Sequence, residues 1–289
     1  MLIYKIKSNY KRLYISILLI IIPLFLSSCF KMRMRDKAIY EEFSNTAYKP
    51  KIVRYTIEER EIYYVEVGAD TLPMVLFIHG APGSWIAFKE FMKDSTLLRK
   101  ARMISVDRPG HGYSGLGKAE ISIKKQAALL KPILDLNKNP KAPILVGHSY
   151  GGPIIAQMAM DYPELVGPLV MAAPAIDPKN EKVFWVSYPA DWFLFRWALP
   201  RSIRVTNDEK LSHVEELNKM LPYWQQLHNP TTLIHGEKDG LVPIENSYFG
   251  EKMMLNAPLE VIYDPKLNHL IPWKRPDLIK NAILKYLWE

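Results

Sequence analysis

Apolar and polar positions change rhythm along this chain, and the changes predict its elements. Two stretches, KIVRYTIEE and REIYYVEVG within residues 51–67, are rich in β-branched and aromatic residues and predict a strand pair. Short apolar runs follow: MVLFIH (74–79), ARMISVD (101–107), APILVG (142–147), PLVMAA (168–173), TTLIHG (231–236) and LEVIYD (259–264). Runs of this kind predict parallel strands buried on both faces. Helical stretches at 86–99, 122–137, 150–161, 245–256 and 276–288 separate most of them. Such alternation predicts an α/β fold, a mostly parallel sheet flanked by helices. Pro132 is expected to kink or end the second helix, since proline lacks the amide donor and clashes with the preceding turn.

Residues 175–228 break this rhythm. They are far longer than an ordinary connection and carry Phe184, Trp185, Tyr188, Trp192, Phe193, Phe195, Trp197, Tyr223 and Trp224. The segment is expected to be a helical cap over the strand ends, inserted before the penultimate strand. Most of its aromatics are expected in the cap's own core and a few on a substrate pocket. No linker or internal repeat divides the body, so residues 50–289 are expected to form one domain.

Composition narrows the class. Of 289 residues, 48% are hydrophobic and 24% charged, which excludes a disordered or multispanning chain. The formal charge of +8 would suit nucleic acid, but Lys5, Lys7, Lys11 and Arg12 supply half of it. Without the first 28 residues, 34 basic groups face 30 acidic ones, a formal +4, and nucleic-acid binding loses its support.

That basic stretch precedes LYISILLIIIPLFL (13–26), an uncharged run too short to span a bilayer comfortably, and then Leu26-Ser27-Ser28-Cys29. The pattern resembles the signal peptide and lipobox of bacterial lipoproteins. The resemblance implies cleavage after residue 28, lipidation of Cys29 with acyl chains of the palmitate kind, and a cell-envelope protein anchored in a bacterial membrane. Cys29 is the chain's only cysteine, so the mature protein would hold no disulfide. Residues 29–49 then read as a tether, whose Lys31, Arg33, Arg35 and Lys37 are placed to meet anionic headgroups or solvent.

The chemistry gathers at predicted strand ends. Gly147-His148-Ser149-Tyr150-Gly151 matches G-x-S-x-G between a strand and a helix, where a sharp turn lifts the serine hydroxyl out of the sheet. His79-Gly80-Ala81-Pro82-Gly83 follows an earlier strand, and the amides of Ala81 and Tyr150 are candidate oxyanion-hole donors. The landmarks HGAPG at 79–83, DRPGHGYS at 107–114, GHSYGG at 147–152, HGEKDGLVP at 235–243 and the isolated His269 stand in the order of the α/β-hydrolase family, which the chain resembles over about residues 50–289. The resemblance implies that fold and a Ser149, Asp239, His269 triad. A serine needs a base, and that imidazole a carboxylate to fix its tautomer. Asp177, after the preceding strand, is the alternative acid. Asp107 and Ser114 are expected to brace a loop, and His79, His148 and His235 to pack around the site.

A Gly112–Lys118 stretch fits G-x-x-x-x-G-K, but Ala119 stands where a phosphate-binding loop needs Ser or Thr, so nucleotide binding is not expected. No histidine or carboxylate cluster has metal-ligand spacing, and neither a metal nor another cofactor is expected. Serine at 149 argues against the epoxide-hydrolase and dehalogenase branches, which place aspartate there. The expected activity is hydrolysis of a carboxylic ester, a small-molecule acyl substrate, through an acyl-enzyme. The alternatives are a peptidase, since HGAPG is similar to the HGGPG of proline iminopeptidases, an acyltransferase, or a membrane-tethered protein that binds an apolar ligand without turnover. Oligomeric state is left open.

Overall fold

The apolar runs assemble into one eight-stranded sheet in the computed structural model, which describes residues 32–183, 187–192 and 196–288. The strands are β1 (Lys51–Ile57), β2 (Arg60–Val67), β3 (Met74–Ile78), β4 (Arg102–Asp107), β5 (Ile144–His148), β6 (Leu169–Ala172), β7 (Thr231–Gly236) and β8 (Leu259–Asp264). Their spatial order is β1-β2-β4-β3-β5-β6-β7-β8. β1 and β2 pair antiparallel, β2 meets β4 antiparallel, and every later pairing is parallel. The chain runs from β3 outward to β4 and then returns to place β5 on the other side of β3. Such a reversal opens a crevice at the carboxyl ends of the strands.

The strand alternation explains the layers. Met74, Leu76 and Ile78 of β3 join one apolar cluster, whereas Val75 and Phe77 join the other. Both faces are therefore covered by helices. The longer helices are α1 (Asp36–Glu42), α2 (Ile123–Leu134), α3 (Gly151–Asp161), α4 (Arg201–Met220), α5 (Glu245–Met253) and α6 (Pro276–Trp288). α2 and α3 cover one face, while α1, the turns at 85–98 and α6 cover the other. β8 departs from the expectation of burial on both faces: it is an edge strand and is only partly buried, because among the described residues no strand pairs on its outer side.

Two helices differ from their sequence reading. The stretch at 86–99 is a 3-10 turn (Trp85–Phe88) and two short helices, Lys89–Lys93 and Ser95–Leu98. Asp94 divides them: its carboxylate accepts from Thr96 N and Leu97 N at 2.9 and 3.0 Å and starts the last turn afresh. α2 passes Pro132 and ends two residues later, so the proline sits in its final turn.

The N-terminal boundary also moves. Residues 36–49 are not a free tether, because α1 packs on the domain with Ile39 and Phe43 buried beside Trp85. The apolar side of that short helix outweighs the charges that made the segment look solvated. Cys29 and the leader at 1–28 lie outside the described residues. Among the described residues, no helix is long and apolar enough to cross a membrane.

Between β6 and β7, the segment at 175–228 contains α4, a short helix at Ser187–Ala190 and a 3-10 stretch at Leu221–Gln226. Of its five described aromatics, four do not join a cap core. Trp224 is fully buried, but Tyr188, Trp192, Tyr223 and Trp197 are exposed, the last at 70%. Phe184, Trp185, Phe193 and Phe195 fall outside the described residues.

Candidate active site

Ser149 leaves β5 in the left-handed region, at φ +54°, a conformation that L-residues adopt rarely and at a cost. The neighbouring glycines make the turn possible. A Cβ on Gly147 would stand 2.6 Å from the Gly151 carbonyl oxygen, and one on Gly151 would stand 2.1 Å from that of Ile78. The turn is then pinned by hydrogen bonds: Ser149 N donates to Ala172 O at 3.0 Å, and Gly152 N donates to Ser149 O at 2.9 Å. Ser149 is buried but lines a cavity of about 520 Å³ together with Ala81, His269 and Trp273. A second cavity, of about 480 Å³ on the cap side, also includes Ser149, Ala81 and His269 in its wall.

Asp239 and His269 come from the loops after β7 and β8. His269 Nδ1 lies 2.7 Å from Asp239 Oδ2, while Asp239 Oδ1 accepts from Leu241 N and Val242 N at 2.9 Å each. Burial pushes this carboxyl up, but the imidazoles of His235 and His269 and the Val242 amide outweigh it and hold the group well below the carboxylate range. Asp239 is thus ionised and can only accept, so His269 Nδ1 is the donor in the bond between them. Asp177, the alternative acid, is not on this histidine. Its carboxylate accepts from Lys179 N at 2.9 Å and Asn180 Nδ2 at 2.7 Å, a turn role.

Other histidines hold the frame. His148 Nε2 donates to the His269 carbonyl at 2.9 Å, and its ring packs against His269 and Trp273. Burial, then the neighbouring His269, lowers His148 from 6.5 to about 3, so it stays neutral. His235 Nε2 donates to Val242 O at 3.0 Å, while its Nδ1 meets Ser247 Oγ at 2.7 Å. Its approach to Asp239 is 3.6 Å, longer than a hydrogen bond. His79 accepts from Arg108 N on Nε2 at 3.0 Å and therefore donates from Nδ1 to Gly80 O at 2.6 Å, which fixes the HGAPG turn. Among the described residues, the amides of Ala81 and Tyr150 donate to no protein group, and Tyr150 precedes α3, where the helix N-terminus favours negative charge.

Asp107 braces loops, accepting from Trp85 N and Tyr113 N at 2.7 Å each, and Ser114 Oγ accepts from Tyr63 N at 2.8 Å. Sequence reading missed the fastening of the cap. Arg108 Nη1 donates to Glu209 Oε1 at 2.6 Å with both side chains fully buried, and Gln126 and His111 complete the group. The partners stand 101 residues apart, and nothing local announces them. The polar wall of the cap-side cavity was missed too: Glu181 is paired with Lys210 and His213, and Tyr150 Oη and Thr206 Oγ1 are buried without a partner. Among the described residues, no group of histidines, cysteines and carboxylates could hold a metal ion.

Comparison with known proteins agrees with this architecture. A family model described as alpha/beta hydrolase fold matches residues 73–197. Epoxide hydrolase 1 of Caenorhabditis elegans is 26% identical, over 90% of this chain and 74% of that protein. The uncharacterized hydrolase YugF of Bacillus subtilis (strain 168) is 24% identical, over 82% of this chain and 97% of that protein. A crystal structure of a putative lipase from Acinetobacter baumannii AYE superposes with a TM-score of 0.66 at 17% identity, covering 87% of this chain and 95% of that one. Strand order and motif order thus agree with the comparisons: this chain has the α/β-hydrolase fold, and its residues 73–197 match the model of that family.

Proposed function

We propose that this protein is a serine hydrolase that cleaves carboxylic esters through an acyl-enzyme. The observation that carries the proposal is the strained Ser149 on the same cavity wall as His269, whose Nδ1 is held by Asp239 at 2.7 Å. In this reading Ser149 Oγ attacks the ester carbonyl carbon as its proton passes to His269 Nε2. The amides of Ala81 and Tyr150 hold the developing oxyanion, a contribution of about 3–4 kcal/mol per donor in such sites. His269 returns the proton to the departing alkoxide, and water then attacks the acyl-serine by the reverse path, with His269 again the base.

Serine at position 149 favours acyl chemistry over the epoxide opening named for the nematode relative. A peptidase that reads a free amino terminus needs an unpaired acid in the cap. Glu181, the acid in the wall of the cap-side cavity, already faces Lys210 and His213. We propose in addition that Cys29 is the acylated N-terminus of the mature protein, on the strength of the apolar run and Leu-Ser-Ser-Cys that end in it.

A fluorophosphonate probe tests the enzyme reading. The folded wild type is expected to be labelled on the peptide containing Ser149 and the Ser149→Ala variant not at all. A folded wild type that takes up no probe would overturn it in favour of a binding protein.

A further inference from the structure

We propose that the mouth of the Ser149 cavity lies against the bilayer surface and that the substrate is an ester amphiphile drawn from the membrane rather than from solution. Met32, the first described residue, forms part of the wall of the cavity that holds Ser149 and His269. The chain just after it is fastened to the body. Arg33 Nε donates to Gly112 O at 2.7 Å, its guanidinium stacks 4.8 Å over the Tyr113 ring, and Tyr113 Oη donates to Met34 O at 3.2 Å. The buried Ile39 and Phe43 of α1 follow.

The leash from Cys29 to this fixed point is three residues long. Even fully extended it reaches only about 11 Å at 3.3–3.6 Å per residue. Headgroup and interfacial layers occupy roughly 5–8 Å on each side of the hydrocarbon core. An acyl group on Cys29 therefore leaves the cavity mouth little room to stand away from the membrane.

The rim of that same cavity suits the position. Leu241, Leu270 and Trp273 line it and are 50%, 44% and 52% exposed. Apolar side chains and tryptophan of this kind settle at the headgroup boundary. Arg35 and Lys274, both exposed and close in the chain to the rim residues Met32 and Trp273, add charge that attracts anionic lipid. An exposed rim alone would name no occupant. The short leash selects the bilayer. The inference rests on the proposed acylation of Cys29 and, for the substrate, on the ester-hydrolase reading.

The test uses the full-length, membrane-processed protein in vesicles of phosphatidylcholine and phosphatidylglycerol whose acyl chains carry bromine, a short-range quencher of tryptophan. Part of the emission is expected to be quenched in wild type and to be missing from the Trp273→Phe variant. A Gly/Ser spacer of about twenty residues after Phe30, spanning about 25 Å on average, is expected to remove that quenching. It should also lower hydrolysis of an ester lipid carried in the vesicle several-fold while leaving turnover of a dissolved short-chain aryl ester unchanged. Mass measurement of the N-terminal peptide separates the failures. A Cys29 without lipid would overturn this inference together with the anchor. An acylated protein whose Trp273 is not quenched would overturn the inference alone. Quenching needs no turnover, so it stands apart from failure of the hydrolase reading.

Discussion

The strand-end shelf and the cap meet at the same serine, yet they are built by opposite rules. On the shelf each group of the proposed triad is set by its own short loop: Ser149 by glycines that admit its backbone, Asp239 by two amides and an imidazole, His269 by a carboxylate on one side and the His148 ring on the other. The cap is fastened by long-range contacts, the buried Arg108–Glu209 pair, the Glu216 carboxylate on Ile123 N and the packing of Leu217, Met220 and Trp224 into the core, and it places several large aromatics in solvent. The cavity between them is walled by unpartnered polar atoms from both sides, Tyr150 Oη from the shelf and Thr206 Oγ1 from the cap. In the proposed ester-hydrolase reading, this difference would be a division of labour, with chemistry set by short local loops and recognition by a layer fastened through long-range contacts.

The largest effect is expected on the shelf. Asp239→Asn would keep an acceptor for Leu241 N and Val242 N but turn an amide N–H toward His269 Nδ1. The ring would then adopt the tautomer that places its proton on Nε2, and Ser149 would lose its base. Ester turnover is expected to fall about 10⁴-fold, as in triads altered this way. Asp177→Asn, altering a turn carboxylate, should leave turnover unchanged. Steady-state rates of the two variants decide it, and equal losses would break the assignment of the shelf.

The next effect belongs to the cap's attachment. Arg108→Met leaves Glu209 buried without its cation, a change that costs about 3–5 kcal/mol. Denaturant unfolding should register this loss, and amide exchange should place it first in α4. Replacing both partners, Arg108→Met with Glu209→Leu, is expected to regain much of it, because an apolar pair of similar volume carries no desolvation penalty. A double variant no better than the single would mean that the pair does more than fasten the cap.

Acid should reach the two regions in sequence. His148 binds a proton in the unfolded chain below 6.5 but in the folded one only near 3, so the unfolded state holds more protons between those values. Stability therefore falls as pH drops from 6.5 toward about 3. Glu209 follows at lower pH: burial pushes it up, but Arg108 and His111 outweigh this and bring it from 4.5 to about 2. Its contribution is complete above 4.5 and lost as pH falls toward about 2. Asp107 runs the other way, raised by burial to about 7 from 3.8, so its contribution is lost as pH rises through about 7. Comparing wild type with His148→Asn isolates the first group. Their melting temperatures should draw together as pH falls from 6.5 to 3, and a constant gap would remove His148 from the account.

How much of this was legible follows the same division. The strands, their order of appearance and the elbow could be read because their causes are local: apolar runs make buried strands, and Gly147 and Gly151 mark a turn that side chains would block. Asp239 needed the geometry to be separated from Asp177, since both are turn carboxylates after neighbouring strands. Arg108–Glu209 was invisible, because only the folded sheet and cap bring the two together. The burial of α1 was hidden for a related reason, as two apolar residues amid Asp36, Lys37, Glu41 and Glu42 read as solvated until a partner surface exists.

The smallest effect separates the cap's aromatics from a core. Trp197→Ser removes a ring that is 70% exposed, whereas Trp224 and Phe249 pack edge to face under the cap. Changes at exposed positions usually stay within about 0.5 kcal/mol, so the melting temperature should hardly move. If instead it fell as far as in the Arg108→Met variant, Trp197 would have to be packed in the folded protein and the cap would have a core of its own. An unchanged melting temperature with altered turnover of a bulky ester would place this ring among the groups that meet substrate. The exposed aromatic face of the cap would then serve recognition while contributing little to folding.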